Sequence, residues 1–99
     1  MSYEEILFSG KGPIGIITLN NPRRINALSQ RMIAELTDAL DRAAGDEGIK
    51  VLIVRAAGAN FCAGHDLTEM TGRGMRESAE IFERCSRMMQ RLHTIPQPV

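Results

Sequence analysis

Residues 58–70, Gly-Ala-Asn-Phe-Cys-Ala-Gly-His-Asp-Leu-Thr-Glu-Met, decide how the rest of the chain is read. They follow the apolar run Val51-Leu-Ile-Val54. They open with Gly58 and Asn60, hold a second glycine at Gly64, and pass into Asp66–Met70, where Asp66 is suited to cap a helical turn. A buried strand ends, the backbone turns sharply, and a helix begins. At such a junction backbone N–H groups lack partners from regular structure. They are free to bind an electron-rich atom, such as a carbonyl oxygen gaining negative charge.

Upstream, Tyr3 to Ser9 reads as a strand with Ile6 and Phe8 on one face and Leu7 on the other. Gly10–Pro13 reads as a turn, and the β-branched run Ile14–Leu19 as a second strand completing an antiparallel hairpin. Gly10, Gly12 and Gly15 fit the dinucleotide pattern G-x-G-x-x-G, but that motif needs a helix to open among its glycines. Here a strand follows and Pro13 removes an amide donor, so the hairpin turn is preferred. Asn20-Asn21-Pro22 is a loop. Ser29 caps a helix from Gln30 to about Ala44, whose apolar stripe is Met32, Ile33, Leu36, Ala39, Leu40 and Ala43, and Gly45 ends it. Val51–Ala56 shows no alternation, which predicts a parallel strand covered on both faces and, with the helix before it, a right-handed crossover.

Downstream, Thr71–Gly74 is a flexible link. A second long helix, about Met75 to His93, carries the stripe Ile81, Phe82, Cys85, Met88, Met89 and Leu92. Pro96-Gln97-Pro98 breaks it, and Val99 reads as the first residue of another strand. The expected class is α/β, and residues 1–99 are expected to form the N-terminal part of a larger domain, because the crossovers leave apolar surface uncovered.

Composition narrows the function. Hydrophobic residues make up 43% and charged residues 24% of the chain, as in a globular protein. Twelve basic side chains balance twelve acidic ones, which disfavours a nucleic-acid partner. No run approaches a membrane span, and no basic-then-apolar leader opens the sequence. Cys62 and Cys85 form no zinc spacing or disulfide framework, so the expected setting is a reducing cytoplasm, with no metal.

Three stretches, in order, carry a family resemblance: Ile16-Ile-Thr-Leu-Asn-Asn-Pro22 running into Ile25-Asn-Ala-Leu-Ser29; Val51–Val54 leading to Asn60-Phe-Cys-Ala-Gly-His-Asp-Leu67; and Ile95-Pro-Gln-Pro-Val99. Together they resemble the N-terminal portion of the crotonase superfamily, the enoyl-CoA hydratases and isomerases. The resemblance implies a spiral of ββα repeats that binds an acyl-CoA thioester, most simply to hydrate a 2-enoyl-CoA. Coenzyme A then enters as part of the substrate and no separate cofactor is implied. The residue after Ala63-Gly64 is expected to give its backbone N–H to an oxyanion hole, and that residue is His65. Losing one such donor costs about 3 kcal/mol in characterised oxyanion holes. The implied binding residues are Arg23, Arg24, Ile25, Ala27, Ala63, Gly64, His65, Asp66 and Leu67, the two arginines lying where the family places a base facing the CoA phosphates. The family's usual assemblies are trimers or hexamers.

Two departures matter. His65 replaces the usual alanine, placing a titratable ring at the site's margin. The second oxyanion turn and the acid/base glutamates of the family fall beyond the position equivalent to Val99. His65-Asp66 together with the Arg84–Met89 helix also resembles a subgroup in which some members lack those glutamates. The alternative function is therefore a non-catalytic CoA-binding or assembly module. Several side chains have plainer readings. Asp66 is a cap rather than a base, Arg23 and Arg24 are either phosphate ligands or solvated surface, and the imidazole of His65 is either incidental or a proton carrier. Cys62 and Cys85 pack, and Glu77, Glu80 and Glu83 form a solvated face paired with arginines.

Overall fold

A computed structural model describes residues 1–99. Strand β1 (Ile6–Lys11) pairs antiparallel with β2 (Ile14–Leu19), Ile6 lying opposite Leu19 and Lys11 opposite Ile14. Gly12, at φ +59°, takes the first position of the two-residue link, where a tight hairpin needs a left-handed residue. Strand β3 (Val51–Ala56) pairs parallel with β2, giving the order β1-β2-β3. Helix α1 (Gln30–Ala44) connects β2 to β3, and Ser29 caps it by accepting the Met32 N–H at 2.9 Å. A single turn, α2 (Leu67–Met70), precedes the long helix α3 (Met75–Thr94). No helix is long and apolar enough to cross a membrane.

The core lies on one side of the sheet. Ile6, Ile17, Leu19 and Leu52 point to it, α1 lays its whole predicted stripe over them, and α3 adds Ile81, Cys85 and Met88. Burying each such aliphatic side chain contributes about 2 kcal/mol. Gly15 belongs to this packing and not to a phosphate loop: a Cβ there would meet Leu52 Cδ1 at 3.0 Å and Ile49 Cγ2 at 3.2 Å.

Four expectations need correction, the last of them the strand expected to begin at Val99, which is not formed. The first strand begins at Ile6 rather than Tyr3 and runs on to Lys11. Before it, the backbone turns to a carboxylate instead of a neighbouring strand. Glu35, 1% exposed, accepts the N–H groups of Glu4, Glu5 and Ile6 at 3.0, 2.9 and 3.2 Å and is held by Arg31 at 2.6 Å. The third strand is covered on one face only. Leu52 is 1% exposed, whereas Ile53 is 45% exposed on the opposite face, beside Ile16. Both helices pack on the Leu52 side, so the uninterrupted apolar run reflects residues on both faces but cover on one. On α3, Phe82 and Met89 belong to the apolar stripe yet are 51% and 42% exposed: Phe82 meets the His65 ring beyond the core, and Met89 borders an apolar hollow that Leu36 and Leu40 of α1 also line without filling it.

The polar face of α3 follows the sequence reading, with Arg73–Glu77, Glu80–Arg84 and Glu83–Arg87 pairs four residues apart. Exposed pairs of this kind add only tenths of a kcal/mol each. After α3, Gln97 Nε2 donates to the carbonyls of Ala43 at 2.6 Å and Ile49 at 3.2 Å. Residues 96–99 form no strand, but the Pro98 carbonyl accepts the Leu52 N–H at 2.9 Å along the free edge of β3.

Burial pushes the Glu35 carboxyl up, but the three backbone N–H groups and Arg31 outweigh it and hold the group below the ordinary glutamate value of 4.5. The stability this contributes is present above pH 4.5 and is lost as pH falls through the lower folded-state value. Glu35→Gln keeps the shape but turns an amide donor toward donors. It is expected to lower urea stability by about 2 kcal/mol at pH 7. The gap to wild type should narrow steadily as melts are repeated from about pH 4.5 down to pH 3; a gap independent of pH would contradict the assignment.

Candidate functional site

The site is assembled where the chain leaves β2. Pro22–Arg24 form one 3-10 turn, and the next two residues both take left-handed backbone, Ile25 at φ 57° and Asn26 at φ 51°. For a β-branched residue this is strained by about 1–2 kcal/mol. Asn26 holds the turn. Its side chain is out of contact with water and fully bonded: Oδ1 accepts the Asn21 N–H at 2.8 Å, and Nδ2 donates to the carbonyls of Ala57 at 2.9 Å and Asn60 at 3.0 Å.

The loop after β3 is laid onto this turn by backbone bonds. The Ala63 N–H donates to the Ile25 carbonyl at 3.0 Å, the Leu28 N–H to Gly64 at 2.7 Å, and the Asp66 N–H to Leu28 at 3.3 Å. The last two make a parallel bridge between Leu28 and His65. In a parallel bridge the central residue turns its own N–H outward. The His65 N–H accordingly donates to no group of the chain.

Asp66 caps α2, accepting the Thr68 N–H at 3.0 Å and the Thr68 hydroxyl at 2.6 Å. Arg24 closes on it from the other wall at 2.9 Å and also donates to Thr68. The Thr68 hydroxyl and N–H and the Arg24 charge hold the Asp66 carboxyl below the usual aspartate range against the opposing effect of burial. It is a structural anion and a weak base. Glu69 adds a further tie by accepting the Gln30 N–H at the start of α1, 2.7 Å away.

Between these walls lies an open depression of about 450 Å³ lined by Arg23, Arg24, Ile25, Ala27, Ala63, His65, Asp66 and Leu67. Of the residues singled out by sequence, Gly64 alone does not line it, and its φ of +92° makes the turn that presents His65. The two arginines differ. Arg24 is committed to Asp66 and Thr68, while Arg23 is exposed and has no acidic partner. The His65 ring stands edge-on to Phe82 with centroids 4.7 Å apart, and its Nδ1 is buried without a partner. Sequence reasoning missed Asn26 and Glu69 as organisers of the site. Asn26 sat inside a quoted motif, but its type alone reads as an ordinary loop residue.

The family model for enoyl-CoA hydratase/isomerase matches residues 14–99. The chain belongs to the enoyl-CoA hydratase/isomerase family. It is 42% identical over 84 residues to the rat protein called enoyl-CoA hydratase domain-containing protein 3, mitochondrial, covering 84% of this chain and 28% of that one. It is 34% identical over 87 residues to a probable enoyl-CoA hydratase of Bacillus subtilis, covering 87% and 33%. An enoyl-CoA hydratase crystal structure from Mycobacterium smegmatis superimposes with a TM-score of 0.90 at 38% identity, over 97% of this chain and 38% of that one. The chain thus spans about a third of the length of these family members. The fold is the N-terminal portion of the crotonase fold, as the motifs imply.

Gly58, at φ +86°, sits where the loop crosses the Pro22 turn, and a Cβ there would lie 2.9 Å from Pro22 Cβ. Gly64, at φ +92°, has nothing within 4 Å of its would-be Cβ. Gly64→Ala is expected to cost about 1 kcal/mol from backbone strain alone. Gly58→Ala should cost about 2 kcal/mol or more because a clash with a rigid ring is added. Equal losses for the two variants in denaturant melts would remove the close approach from the account.

Proposed function

We propose that this site binds an acyl-CoA thioester, with the thioester oxygen at the His65 N–H and the CoA moiety along the depression. The observation that carries this reading is the unpartnered His65 amide, fixed on both sides by backbone bonds and bordered by an exposed arginine. An amide held in place before the ligand arrives costs no reorganisation when negative charge develops on the oxygen. Arg23, with no acid of its own, is the phosphate ligand in this reading; Arg24 shapes the wall by clasping Asp66.

Turnover needs more than one amide. Enolate formation calls for a second donor and for a group that moves protons. The sole carboxylate among the lining residues is Asp66, which caps α2, is paired with Arg24 and is held below the usual aspartate range by these partners. This observation favours the binding reading for the chain by itself. In a protein of the relatives' length, carboxylates supplied by other segments would complete hydration of a 2-enoyl-CoA, and assembly as trimers or hexamers belongs to the same proposal. Coenzyme A is part of the substrate in this scheme. Cys62 and Cys85 are both free thiols, in keeping with a reducing compartment, the cytoplasm in the simplest case.

Calorimetric titration checks the proposal. Acetyl-CoA is expected to bind, and Arg23→Ala to weaken it about tenfold, the effect of one charge-assisted phosphate contact. Binding of acetyl-pantetheine, which lacks the nucleotide phosphates, should be unchanged by the substitution. Chromatography of crotonyl-CoA incubated with the chain should show no hydroxyacyl product. Absence of acetyl-CoA binding, or hydration by the chain alone, would overturn the respective half of the reading.

A further inference from the structure

We propose that Asn26 is a positioning residue for the His65 amide. It acts through the backbone of residues 25–28 and touches no ligand itself. The inference rests on the acyl-CoA reading for its functional meaning, but its structural half can be measured without any ligand.

Three backbone bonds tie the residues around His65 to Ile25 and Leu28. The Ile25 carbonyl receives the Ala63 N–H, Leu28 donates to Gly64, and the Leu28 carbonyl receives the Asp66 N–H. The direction of the His65 N–H is therefore set by the path of residues 25–28. That path contains two consecutive left-handed residues, one of them β-branched, which the chain does not adopt unaided. The Asn26 carboxamide imposes it from both ends. Its oxygen closes the turn onto Asn21, and its nitrogen anchors the turn to Ala57 and Asn60, the two sides of the bend that begins the loop itself. One buried side chain thus fixes the turn and the start of the loop against each other.

Chemistry limits what can stand here. The position needs one acceptor and two donors in a planar, neutral group, which among side chains of this length is a carboxamide. Aspartate matches its shape but supplies no donor, so it would face two carbonyl oxygens. Serine is too short to span both partners. A buried group left half-bonded costs more than the bond it lost.

The experiment compares wild type with Asn26→Asp and Asn26→Ser, and adds Ile25→Gly, which relaxes a left-handed position while leaving Asn26 in place. Backbone amide exchange is followed by NMR in the absence of ligand. In both Asn26 variants the Ala63 and Leu28 amides are expected to exchange at least about tenfold faster relative to the amides of α1, the loss of one local hydrogen bond's protection. Ile25→Gly should leave them protected. If an Asn26 variant fails to fold, Asn26→Gln, which keeps the group but lengthens it, is read by the same exchange ratio and is expected to show the same local loss.

The functional half uses affinity for acetyl-CoA against S-ethyl-CoA, a thioether that lacks the carbonyl oxygen. Wild type should prefer the thioester by about fivefold, the effect of one net hydrogen bond, and the Asn26 variants should lose that preference while still binding the thioether. A general structural defect would weaken both ligands together. Unchanged exchange at Ala63 and Leu28 overturns the positioning role. Local loss of protection with no wild-type binding of either ligand supports the positioning role and overturns the acyl-CoA reading.

Discussion

The parallel bridge between Leu28 and His65 is the contact on which the site depends. It joins two loops, each following a different strand of one sheet, and makes each rigid where neither has regular structure. Its geometry also assigns directions. The residues flanking His65 are consumed in bonding, and the central N–H is left over because alternate amides of an extended segment face opposite sides. An unsatisfied amide normally costs free energy when buried. Here the residue that carries it lines an open depression.

Two carboxylates, Glu35 within α1 and Asp66 beside its start, perform related tasks. Both are nearly buried, and both are kept ionised by hydrogen-bond donors gathered around them. Glu35 draws in the chain before β1 and so sets where the hairpin starts. Asp66 caps α2 and takes Arg24 across the depression, while Glu69 of the same turn reaches the first turn of α1. The loop that presents His65 is thereby tied to both the strand exit and the helix entry. Neither carboxylate is free to shuttle protons, because each is most stable with its charge retained.

What could be read from the sequence follows from how local each signal is. The α1 boundaries were legible because Ser29, the apolar period and Gly45 all act within a few residues. The hairpin and the parallel crossover were legible from run lengths and breakers. Eight of the nine residues singled out line one depression, since the motif residues are neighbours along the chain as well as in space. What was not legible depended on distant partners. Glu35 sits beside the apolar stripe of α1 and reads as a solvent-facing residue until the N-terminal backbone is brought to it from 29 to 31 positions away. Asn26 makes its decisive bonds with Ala57 and Asn60, 31 and 34 positions on. The covering of β3 was misjudged for the same reason, because an apolar run records which faces want cover and not which neighbours supply it.

A site built on a backbone amide tolerates change differently from one built on a side chain. Any residue but proline carries the N–H, so the histidine at position 65 leaves the donor intact, and its ring is accommodated by packing against Phe82 rather than by entering the bonding scheme. The requirement moves instead to whatever fixes the backbone path: a left-handed pair, a glycine at Gly58 with no room for a Cβ, and a buried carboxamide. Of these constraints, Asn26 and Gly58 lie outside the depression and Ile25 lines it. Variation at the exposed margin then changes what surrounds the amide without changing where the amide points.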